Sequence, residues 1–483
     1  MPNHHGLQFD EALLNERSVA GRYGVDLPTL VNMPLRTGKP ARASIGLPEM
    51  SEPQVVRHFV RLSQLNFSID TGFYPLGSCT MKHNPRLNEK MARLPKLANL
   101  HPLQDESTIQ GSLELMYNLQ HWLSTLTGLP GISLNPAAGA HGELAGMMVI
   151  RKAHQAKGNT RNIVLVPDSA HGTNPATAAM CGYTIVAVPT TRQGLVDLDA
   201  LRSALTPDVA AFMLTNPSTV GLFDPHVQEI SQLLKQAGAY FYCDGANFNA
   251  IAGRIRPADF GVDVMHINLH KTFSTPHGGG GPGSGPIAVS EALSPFLPVP
   301  RVIKRSDDTF GLITHDSQAV GRIRAFQGHF GMFVRALSYM LAHGGDGIRQ
   351  ASEDAVLNAN YILAKLKDLY HAPFEAPCMH ECLLSDKYQR VHGIDTMDIA
   401  KTLIEHGIHP MTVFFPLVVK GAMLIEPTES ETIETIDNFI AVMRHIATEA
   451  AAGNIEAFKN NPISTPRKRV DEIRAVKQLK LRW

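Results

Sequence analysis

Lys271 lies in the segment INLHKTFSTPHGGGGPGSGP (267–286), directly after an apolar run and directly before a glycine-rich loop. Three kinds of chemistry place a lysine amine beside glycines. They are a P-loop that binds nucleotide phosphates, a dinucleotide-binding turn, and a lysine that forms a Schiff base with an aldehyde cofactor. Each makes further demands on the sequence, and these demands distinguish the three.

The glycines of this segment support neither nucleotide-binding motif. A P-loop needs its glycines before the lysine, whereas here they follow it. Gly278, Gly280 and Gly283 have the G-x-G-x-x-G spacing, but that motif leads into a helix. Here Pro282 and Pro286 interrupt the segment, and the β-rich run IAVS follows. The Schiff-base interpretation therefore remains.

A Schiff-base lysine in a pyridoxal phosphate enzyme needs three partners elsewhere in the chain. A carboxylate must face the pyridine nitrogen to keep the ring protonated, a helix N-terminus must bind the phosphate, and a flat group must stack on the ring. Asp244 ends the apolar run AYFYCD and is the candidate carboxylate. In a doubly wound sheet such groups meet at the carboxyl ends of the strands.

Three short segments supply the other candidates. A helix predicted to start at Gly139–His141 has small residues that let a phosphate approach its backbone. His171 in PDSAHGTNPA is the candidate stacking group, and Thr219 in NPSTVG is a candidate donor to the phenolic oxygen. Each candidate also has an ordinary structural interpretation. Gly139–His141 would be a common helix start, His171 a loop histidine and Thr219 part of a turn, and Asp244 also suits a helix N-cap. Taken together in sheet order, they favour a pyridoxal phosphate site.

The elements that must position these residues follow an alternating pattern. Short β-rich runs alternate with amphipathic segments, which predicts an α/β fold with a mostly parallel, doubly wound sheet. The runs are NIVLVP (162–167), YTIVAVP (183–189), VAAFMLT (209–215), AYFYCD (239–244), VMHINLH (264–270) and GPIAVS (285–290). We expect three parts: an N-terminal arm (1–110) that wraps a partner subunit, a large cofactor-binding domain (111–335) and a smaller α+β C-terminal domain (336–483).

Composition narrows the class of protein. Lys+Arg and Asp+Glu both number 44, so no net charge favours nucleic acid or a membrane surface. No apolar run approaches the ~20 residues of a membrane span, and the first residues lack the features of a secretory signal. Five cysteines in 483 residues are typical of reduced thiols, so we expect a cytoplasmic protein.

Several longer strings resemble one known family over nearly the whole chain. They are NPAAGAHGE, SAHGTNPA, NPSTVGLF, CDGANFNA, NLHKTFSTPHGGGGPGSGP, MLIEPTESET, GFYPLGSCTMKHNP and the closing LRW. The chain is similar to the P-proteins of the glycine cleavage system, the decarboxylating glycine dehydrogenases. A single-chain P-protein would be far longer, so the resemblance is to subunit 2 of the two-subunit bacterial form, which bears the lysine.

The resemblance implies a fold-type-I enzyme that uses pyridoxal 5'-phosphate. Glycine would lose its carboxylate as CO₂, and the aminomethyl group would pass to the oxidised lipoyl arm of the H-protein. It also implies a heterotetramer of two such chains with two copies of glycine dehydrogenase subunit 1. It implies Lys271 as the Schiff-base lysine, Asp244 as the partner of the ring nitrogen, His171 as the stacking group and Gly139–His141 as the phosphate site. The candidate catalytic residues are therefore Lys271, His171 and Lys82, and the candidate cofactor-binding residues are Lys271, Asp244, His171, Gly139, Ala140, His141, Thr219 and His270.

Lys82 belongs to the proline- and glycine-rich segment GFYPLGSCTMKHNP (72–85), which is predicted to be a loop. Its ammonium would attract the glycine carboxylate, and His83 would exchange protons near neutral pH. The alternative is that the loop only seals a subunit interface. Thr428 and Glu431 have the spacing of a helix-capping box, which is a structural role.

Two other interpretations stay open on the sequence. One is another fold-type-I pyridoxal phosphate enzyme, such as an amino acid decarboxylase or an aminotransferase, which would use the same Lys271 and Asp244. The other is a non-catalytic scaffold subunit. The presence of Lys271 argues against the scaffold, because a scaffold has no need of a Schiff-base lysine.

Overall fold

The computed structural model describes residues 11–25, 45–278 and 283–481. Several features of the sequence lie wholly or partly outside these ranges. They are residues 1–10 and 26–44 of the arm predicted at 1–110, Gly280 and Pro282 of the glycine-rich loop, and the last two residues of the closing LRW.

A seven-stranded sheet forms the centre of the protein, in the order β1-β7-β6-β5-β4-β2-β3. Its strands are β1 Gly131–Ser133, β2 Ile163–Pro167, β3 Thr184–Val188, β4 Val209–Thr215, β5 Tyr240–Asp244, β6 Val264–His266 and β7 Ile287–Val289. Strand β7 is antiparallel to both of its neighbours, and the other paired strands are parallel. The predicted mostly parallel sheet is confirmed.

Alternating side chains of the central strands are buried on both faces of this sheet. Phe241 and Cys243 of β5 belong to one apolar core, whereas Tyr240 and Tyr242 belong to another on the opposite face. Successive side chains of a strand point to opposite faces, so each face must be covered by its own layer. The sheet is therefore doubly wound, as predicted.

Helices cover both faces of the sheet and also occur in the other parts of the chain. They are α1 Glu52–Gln64, α2 Arg86–Ala92, α3 Pro95–Ala98, α4 Gln110–Thr127, α5 Gly139–Ala156, α6 Thr173–Met180, α7 Leu198–Ala204, α8 Val227–Ala237, α9 Leu269–Thr272, α10 Phe330–Leu366, α11 Lys387–Arg390, α12 Thr396–Glu405, α13 Ile433–Ala451, α14 Ile455–Asn460 and α15 Glu472–Lys477. Short 3-10 segments are Leu14–Arg17, Glu106–Thr108, Gly245–Ala250, Pro257–Phe260 and Glu291–Phe296. Helix α10 is interrupted at Gly344, where φ is 61°.

A second, smaller sheet follows α10 and has an apolar core of its own. It contains β10 Cys382–Ser385, β11 Thr412–Val413 and β12 Ala422–Ile425, all antiparallel, while β8 Arg301–Lys304 and β9 Phe310–Ile313 form a separate hairpin. This confirms the smaller α+β part of the fold class.

The helix start predicted from Thr428 and Glu431 is wrong. Helix α13 begins at Ile433, and Thr432 caps it by accepting from the backbone N–H of Thr435. Thr428 has a φ of 66°, outside the extended range of an N-cap, and its hydroxyl accepts from the backbone N–H of Ser430, two residues on.

Contacts divide the chain into two compact units, Phe73–Lys459 and the described residues of Met1–Gly72 with Asn460–Trp483. Residues 73–110 thus group with the large sheet. Among the helices of the described segments, none has both the length and the apolar composition that crossing a bilayer requires.

Candidate active site

Asp244 is the last residue of β5, and its carboxylate is almost completely buried. It accepts from the Asn174 amide nitrogen at 2.9 Å and from the backbone N–H of Ala246 at 2.9 Å, and it lies 3.3 Å from Nε2 of His266. Burial alone would raise the pKa of Asp244, but these partners and the charge of Lys271 together lower it. The carboxylate therefore stays ionised in a buried place.

A tight turn after β5 holds this carboxylate at the sheet edge. A Cβ added at Gly245 would lie 1.9 Å from the carbonyl oxygen of His266. Only glycine allows the two strand ends to approach this closely. The turn therefore brings Asp244 and His266 side by side.

Lys271 lies in α9, shortly after the end of β6. Its Nζ donates to the carbonyl oxygen of Ser78 at 3.0 Å. Its charge helps to lower the pKa of Asp244 and that of His171, so the three groups are electrostatic neighbours. The structure thus brings together the lysine, the carboxylate and the histidine that the sequence singled out.

His171 lies in the loop between β2 and α6, beside the carboxyl end of the sheet. Its Nδ1 accepts from the backbone N–H of Thr173 at 3.2 Å, and the ring of Phe415 meets it edge-on at 5.5 Å between centroids. Burial lowers the pKa of His171, although Asp244 opposes this. A neutral, flat ring at this edge suits stacking on an aromatic cofactor.

Helix α5 begins at Gly139, and no side chain caps its first backbone N–H groups. A Cβ added at Gly139 would lie 2.5 Å from the side-chain oxygen of Asn268, so the helix start packs directly against the segment that leads to Lys271. His141 accepts from the backbone N–H of Ala137 at 3.1 Å, and Ala140 is exposed. The first turn of an 18-residue helix thus offers free N–H donors beside the lysine segment.

Buried polar atoms without partners also mark this region. Three hydroxyls in the segments that follow Lys271 and pack near the start of α5 have no hydrogen-bond partner among the described residues. These hydroxyls belong to Thr272, Thr275 and Ser284. Since unpaired buried hydroxyls are costly, a ligand with several acceptor oxygens would complete them. Pyridoxal phosphate has such acceptors, so the residues present fit it.

Thr219 and His270 make contacts within the protein. The Thr219 hydroxyl donates to the carbonyl oxygen of Ser169, which ties the loop after β4 to the loop that bears His171. Nδ1 of His270 accepts from the backbone N–H of Ser284 at 3.2 Å, and burial lowers the pKa of His270 to about 3. Both residues lie near the site, and both have structural partners there.

Lys82 contacts the residue that follows Lys271, and its ammonium has partners within the protein. Its side chain is buried, and its Nζ donates to Glu429 Oε1 at 2.6 Å and to the carbonyl oxygen of Thr272 at 3.1 Å. The ring of Tyr339 lies 5.2 Å from the same nitrogen. Its charge is thus already paired, which supports the structural alternative for Lys82 over direct attraction of a substrate carboxylate.

Sequence reasoning missed the side chains that surround Asp244. Glu143 on α5, Asn174 on α6 and His266 on β6 are all buried. Nδ1 of His266 lies 2.9 Å from the Tyr242 hydroxyl, which completes a path from Tyr242 through His266 to Asp244. A polar histidine inside the apolar run VMHIN could have indicated a role for His266. Glu143 and Asn174 have no sequence pattern that distinguishes them from ordinary helix residues.

A second group of buried acids holds the loop before Lys82. Glu381 accepts from the backbone N–H of Ser78 at 2.7 Å, and Glu426 accepts from the backbone N–H and the hydroxyl of Thr80. Burial, and then the charge of Glu426, raise the pKa of Glu381 well above its ordinary value. His380 lies 3.7 Å from Glu426. Since protein donors already occupy these carboxylates, the group serves the loop rather than a metal ion.

The fold and the site together define a class of enzyme. The family model described as aminotransferase class-V matches residues 141–298. The structure resembles an inhibitor-bound glycine decarboxylase, the P-protein of the glycine cleavage system, with a TM-score of 0.71 at 19% identity over 85% of this chain and 92% of that one. It also resembles a C-DES variant with glycine covalently linked to its PLP cofactor, with a TM-score of 0.60 at 14% identity over 77% of this chain and 96% of that one. The chain has the fold-type-I architecture of pyridoxal phosphate enzymes.

Sequence comparison identifies the particular family. The model described as glycine dehydrogenase, C-terminal domain, matches residues 351–466. The probable glycine dehydrogenase (decarboxylating) subunit 2 of Caulobacter vibrioides is 58% identical over 99% of this chain and 93% of its own length. The chain therefore belongs to the family of glycine dehydrogenase (decarboxylating) subunit 2, as its resemblance implied.

Proposed function

We propose that this chain is the lysine-bearing subunit of a glycine dehydrogenase and decarboxylates glycine with pyridoxal phosphate. The observation that supports this most is the buried, ionised Asp244 beside Lys271 at the carboxyl edge of the sheet, in a chain of this family. When bound, the cofactor supplies an electron sink for the electron pair left behind as CO₂ departs.

The residues at this edge have separate tasks. Lys271 would hold the cofactor aldehyde, Asp244 would hold a proton on the ring nitrogen, and the neutral ring of His171 would stack. The free N–H groups of Gly139–His141 would bind the phosphate, because a helix N-terminus favours an anion. We assign Thr219 and His270 to positioning of the adjoining loops, from the contacts that they make.

The charge state of the site supports these tasks. Asp244 must be ionised to keep a proton on its partner, and its lowered pKa meets that need at neutral pH. A cationic His171 would repel a protonated ring. The lowered pKa of His171 favours its neutral form and therefore supports stacking. Burial of Asp244 and His266 keeps water from the pair and strengthens their interaction.

Exchange of labelled bicarbonate into glycine tests the reaction. A glycine decarboxylase exchanges the label because loss of CO₂ is reversible at the site, whereas an aminotransferase does not incorporate it. We expect exchange by the complete chain with its partner subunit, and none by a Lys271→Ala variant that has folded normally. Amino transfer to a keto acid without label exchange would assign the chain to the other enzyme class.

Membership of a subunit 2 family implies a partner subunit. We propose that this partner is glycine dehydrogenase subunit 1, in a heterotetramer of two plus two, and that the aminomethyl group passes to the lipoyl arm of the H-protein. Exposed apolar side chains in the unit formed by residues 11–25, 45–72 and 460–481 support the presence of an additional chain. They include Tyr23, Phe59, Ile473 and Val476. A cytoplasmic location stays a prediction from cysteine usage.

A further inference from the structure

Glu143 stands at the centre of a buried hydrogen-bond network around the candidate site. It projects from α5 and is 4% exposed. Its Oε1 accepts from the Thr173 hydroxyl at 2.8 Å, and its Oε2 accepts from the Asn174 amide nitrogen at 2.9 Å. The same amide nitrogen donates to Oδ2 of Asp244 at 2.9 Å. Because an amide has two N–H groups, Asn174 joins two buried carboxylates.

Below about pH 7 these two carboxylates hold one proton between them. Burial, and then the negative charge of Asp244, raise the pKa of Glu143 to about 7, although Asn174, Thr173 and Lys271 oppose the shift. Asp244 is held ionised, so the proton belongs to Glu143. The titratable and charged groups around Glu143 are Asp244 and Tyr242 on β5, His266 on β6, Lys271 on α9 and His171 before α6.

The protonation of Glu143 sets the direction of the Thr173 hydroxyl. That hydroxyl has one proton and two possible acceptors, Oε1 of Glu143 at 2.8 Å and Nδ1 of His171 at 3.0 Å. When Glu143 is ionised, the hydroxyl donates to it. When Glu143 is protonated, its own O–H donates to Thr173, and the Thr173 hydroxyl turns to His171. In either case the backbone N–H of Thr173 donates to Nδ1, so His171 has its proton on Nε2.

We propose that Glu143 is a positioning residue of the cofactor site, which orients His171 through Thr173 and adjusts the charge at Asp244 through Asn174. This role rests on the proposed function, because His171 and Asp244 serve catalysis only if they contact the cofactor. A positive ring nitrogen beside Asp244 would cancel the charge that favours the proton on Glu143. Cofactor binding is therefore linked to release of that proton to solvent.

Infrared titration of the cofactor-free full chain tests the position of the proton. We expect one carboxyl C=O band that disappears near pH 7, is absent in Glu143→Gln, and shifts to lower pH in Asp244→Asn. Glu381→Gln is the matched control, since burial also raises the pKa of that acid, which lies outside the Glu143 network. A band near pH 7 that survives unchanged in Glu143→Gln would overturn the proposal.

The pH dependence of cofactor affinity, measured on the full chain with its partner subunit, tests the linkage. In the wild type, affinity should rise by up to about tenfold per pH unit as the pH approaches 7, because release of one proton is linked to binding. Glu143→Gln should lose this rise and still bind, since its amide can donate to Thr173. An identical slope in both proteins would overturn the proposal.

The two experiments separate failure of this inference from failure of the proposed function. Thr173→Val removes a donor that lowers the pKa of Glu143, so the infrared band should persist and disappear at a higher pH than in the wild type. If the infrared band is absent and the cofactor still binds at Lys271, Glu143 has no such role and the function stands. If the band is present and no cofactor binds, the function fails and the network is only structural.

Discussion

Asp244 and Glu143 are two buried acids whose pKa values the protein shifts in opposite directions. Asp244 has four favourable neighbours, including His266 and Asn174, and its pKa is lowered. Glu143 has mainly neutral donors and faces the charge of Asp244, so its pKa is raised. Environments that separate the pKa values of adjacent acids are typical of catalytic sites.

Asp244→Asn should keep part of the cofactor and lose most of the turnover. The phosphate contacts at α5 remain, but a neutral amide cannot hold the ring nitrogen protonated, so we expect a loss of about 100-fold or more in kcat, ~2.7 kcal/mol. Cofactor content by absorbance and glycine–bicarbonate exchange measure the two effects. Asp259→Asn, at an exposed ion pair, is the matched control. Near-normal turnover in Asp244→Asn would remove this residue from the mechanism.

Glu143 should also make stability depend on pH. Its pKa is about 7 in the folded chain and near 4.5 when unfolded, so the folded state binds more protons between these values. The free energy of unfolding should therefore fall as the pH rises from about 4.5 to about 7. Urea unfolding of the cofactor-free chain at pH 5 and pH 8 should show a fall that Glu143→Gln reduces by ~1–3 kcal/mol. The same fall in both proteins would show that other groups cause it.

At the scale of elements, the loop around residues 75–83 is the part that long-range contacts hold in place. Ser78 and Thr80 have φ values of 64° and 52°, a region that side chains other than glycine rarely adopt. Such a conformation costs on the order of 1–3 kcal/mol and persists only if its surroundings impose it. Glu381 and Glu426 do so by accepting the backbone N–H groups of this loop. The result is a Ser78 carbonyl aimed at Lys271.

Lys82→Met tests whether the loop positions Lys271. Loss of the ammonium leaves the partly buried Glu429 without its charge partner, which should cost about 3 kcal/mol of stability. Turnover should fall by about tenfold or more with cofactor content unchanged, because Lys82 also binds the carbonyl oxygen of Thr272. Chemical unfolding measures the loss of stability, and glycine kinetics measure the loss of turnover.

The double variant Lys82→Met/Glu429→Gln distinguishes positioning from substrate binding. If Lys82 only balances Glu429, removing both charges should restore most of the stability and part of the turnover. If Lys82 binds the glycine carboxylate, the double variant should recover stability while KM for glycine stays raised. The second outcome would return Lys82 to direct contact with substrate.

The sequence predicted the elements well because their signals are local. The strand from Val209 to Thr215 has the predicted bounds, and Asp244 lies at the strand end where its apolar run stops. The contacts within the site could not be predicted from local sequence patterns. Ser78 and Glu381 are 303 residues apart, and only folding brings them together. Likewise, Glu143 has no local pattern that distinguishes it from an ordinary helix residue.

At the scale of the whole molecule, exposed apolar residues in the unit formed by residues 11–25, 45–72 and 460–481 point to a partner chain. On α15, Ile473 and Val476 are 69% and 75% exposed. Monomeric proteins rarely expose such residues in groups, so we expect the partner subunit to cover them. The lysine-bearing chain alone should lack full activity.

The change Ile473→Ser/Val476→Ser should weaken assembly with the partner subunit. Light scattering after size-exclusion chromatography should show a smaller fraction of the two-plus-two species than in the wild type. Val391→Ser is the matched control, because Val391 is also exposed but lies in the Phe73–Lys459 unit. A fully active, monodisperse species made from this chain alone would contradict the need for a partner.

The central claim is that Lys271, facing Asp244 across the edge of the sheet, holds the cofactor. Borohydride reduction fixes an aldehyde cofactor to the lysine that holds it, and peptide mapping by mass spectrometry then identifies that lysine. The account predicts the label on Lys271 in the peptide that contains INLHKTF. Label on any other lysine, and above all on the nearby Lys82, would contradict it.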